Sequence, residues 1–234
     1  MKRIIVKLSG EALMGGTNHP INASSVNEIA DELFALHQKG YEIGIIIGAG
    51  NIWRGRDAAE NGIERANADY MGMLGTIINS LALQNALEKL GISTRTMTAI
   101  EMPKVAEPYI RRKAISHLEK GKIVIFGGGT GNPFFTTDSA AALRAAEVGA
   151  EVILMAKNGV DGVYDKDPKT NPDAKRFSTI TYQELIEKRL QVMDQTAAAL
   201  CRENNIKTIV FDMNQKGNIV KVLEDESIGT IINN

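Results

Sequence analysis

Cysteine is almost absent from this chain of 234 residues, which has Cys201 as its single example. One cysteine excludes an intrachain disulfide, and it favours a reducing, cytoplasmic setting. Cys201 ends the apolar helical pattern of residues 197–201, so we expect a packed thiol there rather than a nucleophile.

An excess of charge of either sign is also missing. The 27 lysines and arginines nearly balance the 28 aspartates and glutamates. This balance gives no general argument for binding nucleic acid or a membrane surface, and we expect neither partner. No apolar run is long enough to span a bilayer. The short apolar run near the N-terminus is interrupted by Lys7, which favours a first β-strand over a signal peptide.

Several catalytic patterns are missing as well. The chain has 3 histidines, and none is placed as an obvious general base. We find no Ser-His-Asp pattern and no Cys or His metal set, and we expect no metal site built by the protein itself. A Walker A loop is absent, as is the glycine fingerprint of dinucleotide-binding folds after the first strand. Both standard nucleotide-binding folds and a nicotinamide dehydrogenase are therefore disfavoured.

The chain does contain apolar strand patterns that alternate with helical patterns along its whole length, without a break in composition. This order predicts one domain, residues 1–234, of the α/β class: a three-layer αβα sandwich with a central, mostly parallel sheet. Ser25 and Glu28 have the spacing of a capping box for the first helix. A long helix over 66–90 is predicted to bury an apolar stripe formed by Leu74, Ile77, Ile78 and Leu81.

Four predicted strands, which end at Leu8, Ile47, Phe126 and Met155, are each followed by a glycine-rich loop. The carboxyl ends of parallel strands meet at one edge of a sheet, and ligands of open α/β sheets bind there. We therefore expect the four loops to converge on one crevice.

The loop over 127–138, GGGTGNPFFTTD, contains the densest set of backbone and hydroxyl donors, and a helix follows it. Glycines and a helix N-terminus suit an anionic ligand. Lys7 ends a buried strand, where its charge is costly unless it meets an anion. Arg54 and Lys157 follow two other strands and are candidate phosphate contacts. Asp138 is interpreted either as a helix cap, a role that Thr137 could also fill, or as a group that orients a lysine or a metal. Charge neutralisation and positioning are the main requirements of phosphoryl transfer.

Five segments together resemble the bacterial uridylate (UMP) kinases, a family of the amino acid kinase superfamily. They are KLSGEAL from Lys7, GAGNIWRG from Gly48, ADYMGM from Ala68, GTGNPFFTTD from Gly129 and VDGVY from Val160. The resemblance covers essentially the whole chain in order. It implies an amino acid kinase-like fold and transfer of a phosphoryl group from ATP to UMP with Mg²⁺, giving UDP and ADP in the synthesis of UTP and CTP.

The resemblance also implies roles for residues. Lys7, Arg54 and Asp138 are the expected catalytic residues. The expected ATP site contains Lys7, Leu8, Ser9, Gly10, Gly50, Arg54, Asn158, Tyr164 and Asp167. The expected UMP site contains Ala49, Asp69, Thr130, Gly131, Asn132, Pro133, Phe134, Phe135, Thr136 and Thr137, with Asp69 accepting hydrogen bonds from ribose hydroxyls.

Members of this family form hexamers, are activated by GTP and are often inhibited by UTP, so the resemblance implies a homohexamer with both effectors. The segment linked to GTP corresponds here to Gly15, Gly16, Thr17, Asn18, His19 and Pro20. Its second half departs from the family's glycine-aromatic-glycine pattern, which leaves the GTP response open. Ala49 also stands where the family usually has glycine.

Two alternatives from the residues remain. A sister kinase that phosphorylates an acyl group would have similar glycine loops, but the run from Asn132 to Asp138 together with Asp69 favours the nucleotide kinase. A non-catalytic nucleotide sensor on the same fold would tend to lose Lys7 or Arg54, and both are present.

Overall fold

A computed structural model describes residues 2–55 and 62–234. Its core is a nine-stranded sheet in the order β4-β3-β5-β2-β1-β6-β8-β9-β7. Neighbouring strands are parallel except β8 and β9, which are antiparallel. The strands are β1 (Arg3–Leu8), β2 (Glu42–Ile47), β3 (Thr94–Thr98), β4 (Glu107–Pro108), β5 (Ile123–Gly127), β6 (Val152–Lys157), β7 (Thr179–Thr181), β8 (Lys207–Asp212) and β9 (Thr230–Asn233).

Helices cover both faces of this sheet. They are α1 (Ala23–Gln38), α2 (Arg65–Lys89), α3 (Arg111–Glu119), α4 (Thr137–Val148), α5 (Tyr182–Glu187), α6 (Gln195–Glu203) and α7 (Asn218–Lys221), with short 3₁₀ turns at Gly10–Met14 and Glu226–Ile228. One apolar core contains side chains of α1, α2 and α7, and a second contains those of α3 to α6. The predicted three-layer α/β architecture is confirmed.

The central strand β1 shows how the two cores arise. Ile4, Val6 and Leu8 pack in the core with α1 and α2, whereas Ile5 packs in the core with α4. Successive side chains of a strand point to opposite faces. Lys7 therefore lies on the face of Ile5, at the carboxyl end of β1 and under α4. The alternation of side chains along β1 thus places Lys7 on the face of the sheet that α4 covers.

The start of α1 differs from the prediction. Asn22, not Ser25, caps α1: its side chain accepts hydrogen bonds from the backbone N–H groups of Ser24 and Ser25. The predicted capping-box start is wrong because Asn22 offers an earlier side-chain acceptor, and the helix then begins at Ala23.

The predicted buried stripe of α2 is wrong in part. Ile77 is buried at 3% exposure, but Leu74 and Ile78 are 47% and 49% exposed. The helix instead turns a face of small and polar residues inward, because Gly75 lies against the loop after β2. A Cβ on Gly75 would come within 2.9 Å of the Ala49 Cβ. The periodicity of apolar residues shows which residues share a face of the helix, and the close approach of Gly75 to Ala49 decides which face is buried.

The burial of Cys201 and the character of the helices bear on two of the predictions from the sequence. Cys201 is fully buried, and burial raises the pKa of its thiol to about 11, as expected for a packed residue. Across residues 2–55 and 62–234, no helix combines the length and apolarity needed to cross a membrane.

Candidate active site

Three charged side chains meet at the carboxyl edge of the sheet. Lys7 is the second-to-last residue of β1, Lys157 ends β6, and Asp138 lies in the first turn of α4. The Lys7 Nζ is 2.7 Å from Asp138 Oδ1, and the Lys157 Nζ is 3.7 Å from Asp138 Oδ2. Lys7 is 8% exposed, so the costly charge at the strand end is balanced by an anion of the protein. The cluster carries two positive charges and one negative charge, which leaves a net attraction for anions.

The surroundings of this cluster shift two of its pKa values. Burial alone would raise the pKa of Asp138, but the charges of Lys7 and Lys157 outweigh burial and lower it. Burial lowers the pKa of Lys157, and the charge of Asp138 offsets this only in part. Asp138 therefore stays ionised at neutral pH, whereas Lys157 loses its proton more readily than an ordinary lysine.

Asp138 is not the helix cap, which resolves one open alternative. Thr136 caps α4, because its side-chain oxygen accepts hydrogen bonds from the backbone N–H groups of Asp138 and Ser139. The carboxylate of Asp138 remains available for the two lysines. Thr136 is itself held by Asp194, to which its hydroxyl donates, and the Ser139 hydroxyl donates to the same carboxylate at 2.9 Å.

The glycine loops after β1, β2 and β5 meet above this cluster. A Cβ on Gly10 would lie 2.4 Å from the carbonyl oxygen of Gly48. A Cβ on Gly48 would lie 3.7 Å from the Thr137 hydroxyl. These approaches bring the loops after β1 and β2 into contact, and they place Gly48 beside the first residue of α4, which follows the loop after β5. The predicted convergence is thus found for three of the four loops, those after β1, β2 and β5.

Arg54 lies in the loop after β2. One guanidinium nitrogen is 2.6 Å from Glu11 Oε1, and Nε donates to the Gly50 carbonyl at 3.2 Å. The Arg54 and Glu11 side chains are both partly exposed, and such ion pairs contribute little to stability. A phosphate could therefore replace the carboxylate at low cost, since the planar guanidinium binds both groups in the same way.

A cavity of about 190 Å³ lies beside the end of β5. Of the ten residues expected at the UMP site, seven line it: Ala49, Asp69, Thr130, Asn132, Phe135, Thr136 and Thr137. Gly131, Pro133 and Phe134 belong to the same loop but lie outside this lining. The remaining wall comes mainly from α2 and from Trp53.

Asp69 connects α2 to the loop after β5. Its carboxylate accepts a hydrogen bond from the Phe134 backbone N–H at 2.7 Å, and the Arg65 Nε lies 2.9 Å from the same group. Phe134 has a positive φ of 72°. The contact with Asp69 helps to hold this uncommon conformation, and it places Asp69 at the mouth of the cavity.

A larger cleft lies on the other side of Asp138. It consists of two adjoining cavities of about 530 and 690 Å³, which share Lys157, Arg189, Leu190, Gln191 and Val192. The predicted Tyr164 and Asp167 line the larger part, with Gly162 and Val163. The Tyr164 hydroxyl donates to Asp161 at 2.8 Å. Asn158 is exposed and stands outside the linings of both parts.

One wall of this cleft was missed by the sequence interpretation. It is the segment 185–195, which includes Asp194. Asp194 caps α6 by accepting from the Ala197 N–H, and it also holds Thr136 and Ser139. No glycine-rich loop marks this wall, so the sequence contains little signal for it. The charged run 187–189 at the end of α5 is the main indication.

The remaining predicted residues lie at the edge of the sheet and beyond it. Leu8 is fully buried and can offer a ligand only its backbone, while Ser9 and Gly10 begin the loop that abuts Gly48. The segment Gly15–Pro20 lies outside the two sites just described. It is tied to the loop after β2 through Asn51, whose Nδ2 donates to the Pro20 carbonyl at 2.7 Å.

The fold and this site define an α/β phosphotransferase in which paired lysines and glycine loops replace a Walker A loop. The comparisons agree. A family model described as "Amino acid kinase family" matches residues 2–212. A uridylate kinase of Pediococcus pentosaceus is 56% identical over 231 residues, covering 99% of this chain and 96% of the relative. A uridylate kinase of Limosilactobacillus reuteri is 55% identical with the same coverage.

Solved structures give the same result. A UMP kinase from Bacillus anthracis matches with a TM-score of 0.96 and 45% identity over 99% of this chain and 96% of that one. A UMP kinase from Ureaplasma parvum matches with a TM-score of 0.95 and 44% identity over 100% and 99%. The chain therefore belongs to the amino acid kinase family, in the branch of the uridylate kinases.

Proposed function

We propose that this protein is a UMP kinase, which transfers the γ-phosphoryl group of ATP to the phosphate of UMP and forms ADP and UDP. The main support for this proposal is the position of Thr136 relative to the cluster of Lys7, Lys157 and Asp138. Thr136 lines both the 190 Å³ cavity and the large cleft, and Asp138 and Lys157 line the cleft beside it. A donor and an acceptor bound in the two spaces would have their phosphates meet at this point.

The donor occupies the large cleft in this proposal. The base and ribose of ATP lie near Tyr164 and Asp167, with Asn158 at the margin. The phosphates lie along the backbone of Leu8, Ser9, Gly10 and Gly50. The support is geometric: Tyr164 and Asp167 line the outer part of the cleft, and Lys157 lies where the cleft reaches the sheet edge.

The acceptor occupies the smaller cavity. Asp69 accepts hydrogen bonds from the ribose hydroxyls, and the backbone and hydroxyls of residues 130–137 bind the base and the phosphate, with Ala49 below. The lining of the cavity supports this assignment, since Asp69 and Thr130 are both part of it. Asp69 offers acceptors only, which suits hydroxyl donors.

The chemistry needs charge stabilisation and alignment. Lys7 and Arg54 neutralise the transferring group, and Asp138 orients Lys7 and Lys157. The attacking oxygen belongs to a phosphate monoester that is already largely ionised at neutral pH, with a second pKa of about 6. No general base is needed for such an acceptor, and within residues 2–55 and 62–234 no histidine lines either space.

The reaction class implies Mg²⁺, which would supply positive charge to neutralise the phosphates of ATP. Kinase Mg²⁺ ions keep several waters and are held mainly by substrate phosphates with one or two carboxylates. The residues present fit this arrangement. Across the described ranges no three His, Cys, Asp or Glu side chains cluster as a metal cage, and Asp138 is a carboxylate that lines the cleft beside Lys157 and would hold the ion there.

The proposal is tested by coupled release of ADP from MgATP in the presence of UMP, CMP, acetylglutamate or aspartate, each offered alone. We expect release with UMP far above the others. If ADP is released with acetylglutamate or aspartate instead, the fold assignment holds but the proposed acceptor is wrong. A protein that binds ATP but releases ADP with no acceptor would be a sensor.

The lowered pKa of Lys157 makes a prediction about pH. Its ammonium group lines the cleft and would contact ATP phosphates, and it loses its proton at a pH below the ordinary lysine pKa of about 10.4. As the pH rises, kcat/KM for ATP should therefore begin to fall before that pH is reached. In Lys157→Arg the guanidinium stays charged, so this fall should disappear. Rate profiles for kcat/KM measured from pH 6 to 10 check it, and an identical alkaline limb in both proteins would exclude Lys157 from the ATP site.

GTP activation and UTP inhibition are proposed as well. The segment Gly15–Pro20 can act on the site because Asn51 joins Pro20 to Asn79 of α2, and Asn79 in turn donates to the Gly48 carbonyl at 2.8 Å. Adding GTP to the UMP assay should raise the rate, and adding UTP should lower it. A rate that responds to neither nucleotide would contradict this part.

A homohexamer is proposed as the assembly. The exposed apolar face of α2, formed by Tyr70, Met71, Leu74 and Ile78, supports a subunit contact, because monomers rarely expose such contiguous apolar surface. Light scattering after size exclusion should give about six times the chain mass of 25.4 kDa. A monomeric mass would contradict it.

We further propose that the chain acts as a single amino acid kinase-like domain in the cytoplasm. Its single cysteine, which is buried, supports this location.

A further inference from the structure

A buried arginine lies behind the loop after β5. Arg144, on the second half of α4, is only 4% exposed. Its guanidinium donates to Glu147 Oε2 at 2.6 Å and to the carbonyl oxygen of Gly129 at 3.2 Å. The guanidinium carbon lies 3.9 Å from the centre of the Tyr109 ring. A buried charge persists only when it is paired and hydrogen-bonded, and these contacts provide both.

The contact with Gly129 is the one that reaches the site. Gly128, Gly129 and Gly131 all have positive φ values, of 78°, 58° and 82°. A backbone of glycines has many accessible conformations, so an outside contact is needed to select one. Thr76 of α2 accepts from the Gly128 N–H at 2.9 Å on one side, and Arg144 holds the Gly129 carbonyl on the other.

Glu147 completes the arrangement. The Tyr109 hydroxyl donates to the same Glu147 Oε2 at 2.6 Å. The Arg111 side chain donates to the Glu147 backbone carbonyl. Glu147 and Tyr109 fix the guanidinium from two directions but do not contact Gly129. Glu147 and Tyr109 therefore support Arg144, and Arg144 in turn contacts the loop through its hydrogen bond to the Gly129 carbonyl.

We propose that Arg144 is a positioning residue for the acceptor: by fixing the Gly129 carbonyl it sets the direction of Thr130 and the following loop toward the cavity. This inference rests on the proposed function, because it assigns to that cavity the binding of UMP. Arg144 does not touch the substrate in this account. Its effect should appear in acceptor affinity and leave the donor cleft unchanged.

The variant Arg144→Lys tests the proposal. A lysine keeps the charge opposite Glu147, but a single ammonium lacks the fork that reaches Glu147 and Gly129 together. We expect KM for UMP to rise about tenfold, because the Gly129 carbonyl loses a hydrogen bond from a charged donor and the freed loop must then be ordered when UMP binds. KM for ATP should stay within about twofold of the wild-type value. Calorimetry should show the same loss of affinity for UMP alone.

Tyr109→Phe is the matched control. It removes a hydrogen bond from the same Glu147 oxygen and leaves Arg144 on Gly129, so it should lower the unfolding midpoint without changing KM for UMP. If Arg144→Lys and Tyr109→Phe change UMP affinity equally, or if Arg144→Lys raises both KM values in proportion, Arg144 is structural and the proposal is wrong. If Arg144→Lys does not fold, the neutral pair Arg144→Gln with Glu147→Gln removes the same contact and is judged by the same KM split.

These results are distinguishable from a failure of the proposed function. A wild-type protein that releases no ADP with UMP would overturn the function itself. UMP affinity by calorimetry would then decide on Arg144 without turnover: a loss in Arg144→Lys that is absent in Tyr109→Phe supports the positioning role, and equal affinities reject it.

Discussion

Lys7→Met should reduce kcat for UMP phosphorylation by about a thousandfold, because it removes a preorganised positive charge from the position where the transferring group develops charge. Methionine has nearly the length of lysine and fills the same space under α4. The strand should therefore pack as before. Steady-state kcat with saturating UMP and MgATP measures the effect.

Stability should also fall in Lys7→Met, because Asp138 would remain buried with Lys157 as its one remaining ionic partner within the described residues. The double variant Lys7→Met with Asp138→Asn removes that unbalanced carboxylate. It should recover much of the lost unfolding midpoint, and its kcat should stay low. If the double variant also recovered turnover, or if Lys7→Met had wild-type turnover, Lys7 would have no catalytic role.

Asp69→Asn should raise KM for UMP between about tenfold and a hundredfold and change kcat much less. The amide keeps the shape of the carboxylate and can still accept from the Phe134 N–H, so the loop contact survives. What is lost is the charge and one acceptor for a ribose hydroxyl, and a hydrogen bond to a charged group contributes about 1.5–3 kcal/mol. Initial rates at varied UMP measure it.

Arg65→Gln is the control for Asp69. Arg65 pairs with Asp69 across one helical turn and is largely exposed, and such pairs contribute at most about 1 kcal/mol. Kinetics of Arg65→Gln should stay near those of the wild type. An unchanged KM for UMP in Asp69→Asn would exclude Asp69 from the acceptor site.

The sequence predicted the features that depend on local pattern. Apolar runs followed by glycines located the strands β1, β2, β5 and β6, and with them the edge of the sheet that forms the crevice. The charge of Lys7 at a buried strand end predicted an anion nearby. That anion is Asp138, which lies more than 100 positions from Lys7 along the chain, so no local pattern contains this contact.

Features that depend on packing were missed or misassigned. Leu74 and Ile78 were predicted to be buried because they share an apolar stripe, yet Gly75 brings the other face of α2 against Ala49. Thr136 rather than Thr137 or Asp138 caps α4, since hydroxyl and carboxylate caps compete and the ion pair with Lys7 occupies Asp138. The segment 185–195 forms a wall of the large cleft only because α6 packs against α4 and α5 packs against α6.

The most direct test of the central claim is to follow the phosphorus atoms. We would incubate the protein with MgATP and UMP and record ³¹P NMR spectra through the reaction. UDP and ADP should appear in equal amounts while UMP disappears, and inorganic phosphate should not accumulate. ADP formed together with inorganic phosphate, with UMP unchanged, would mean that the site hydrolyses ATP and does not transfer its phosphoryl group to UMP.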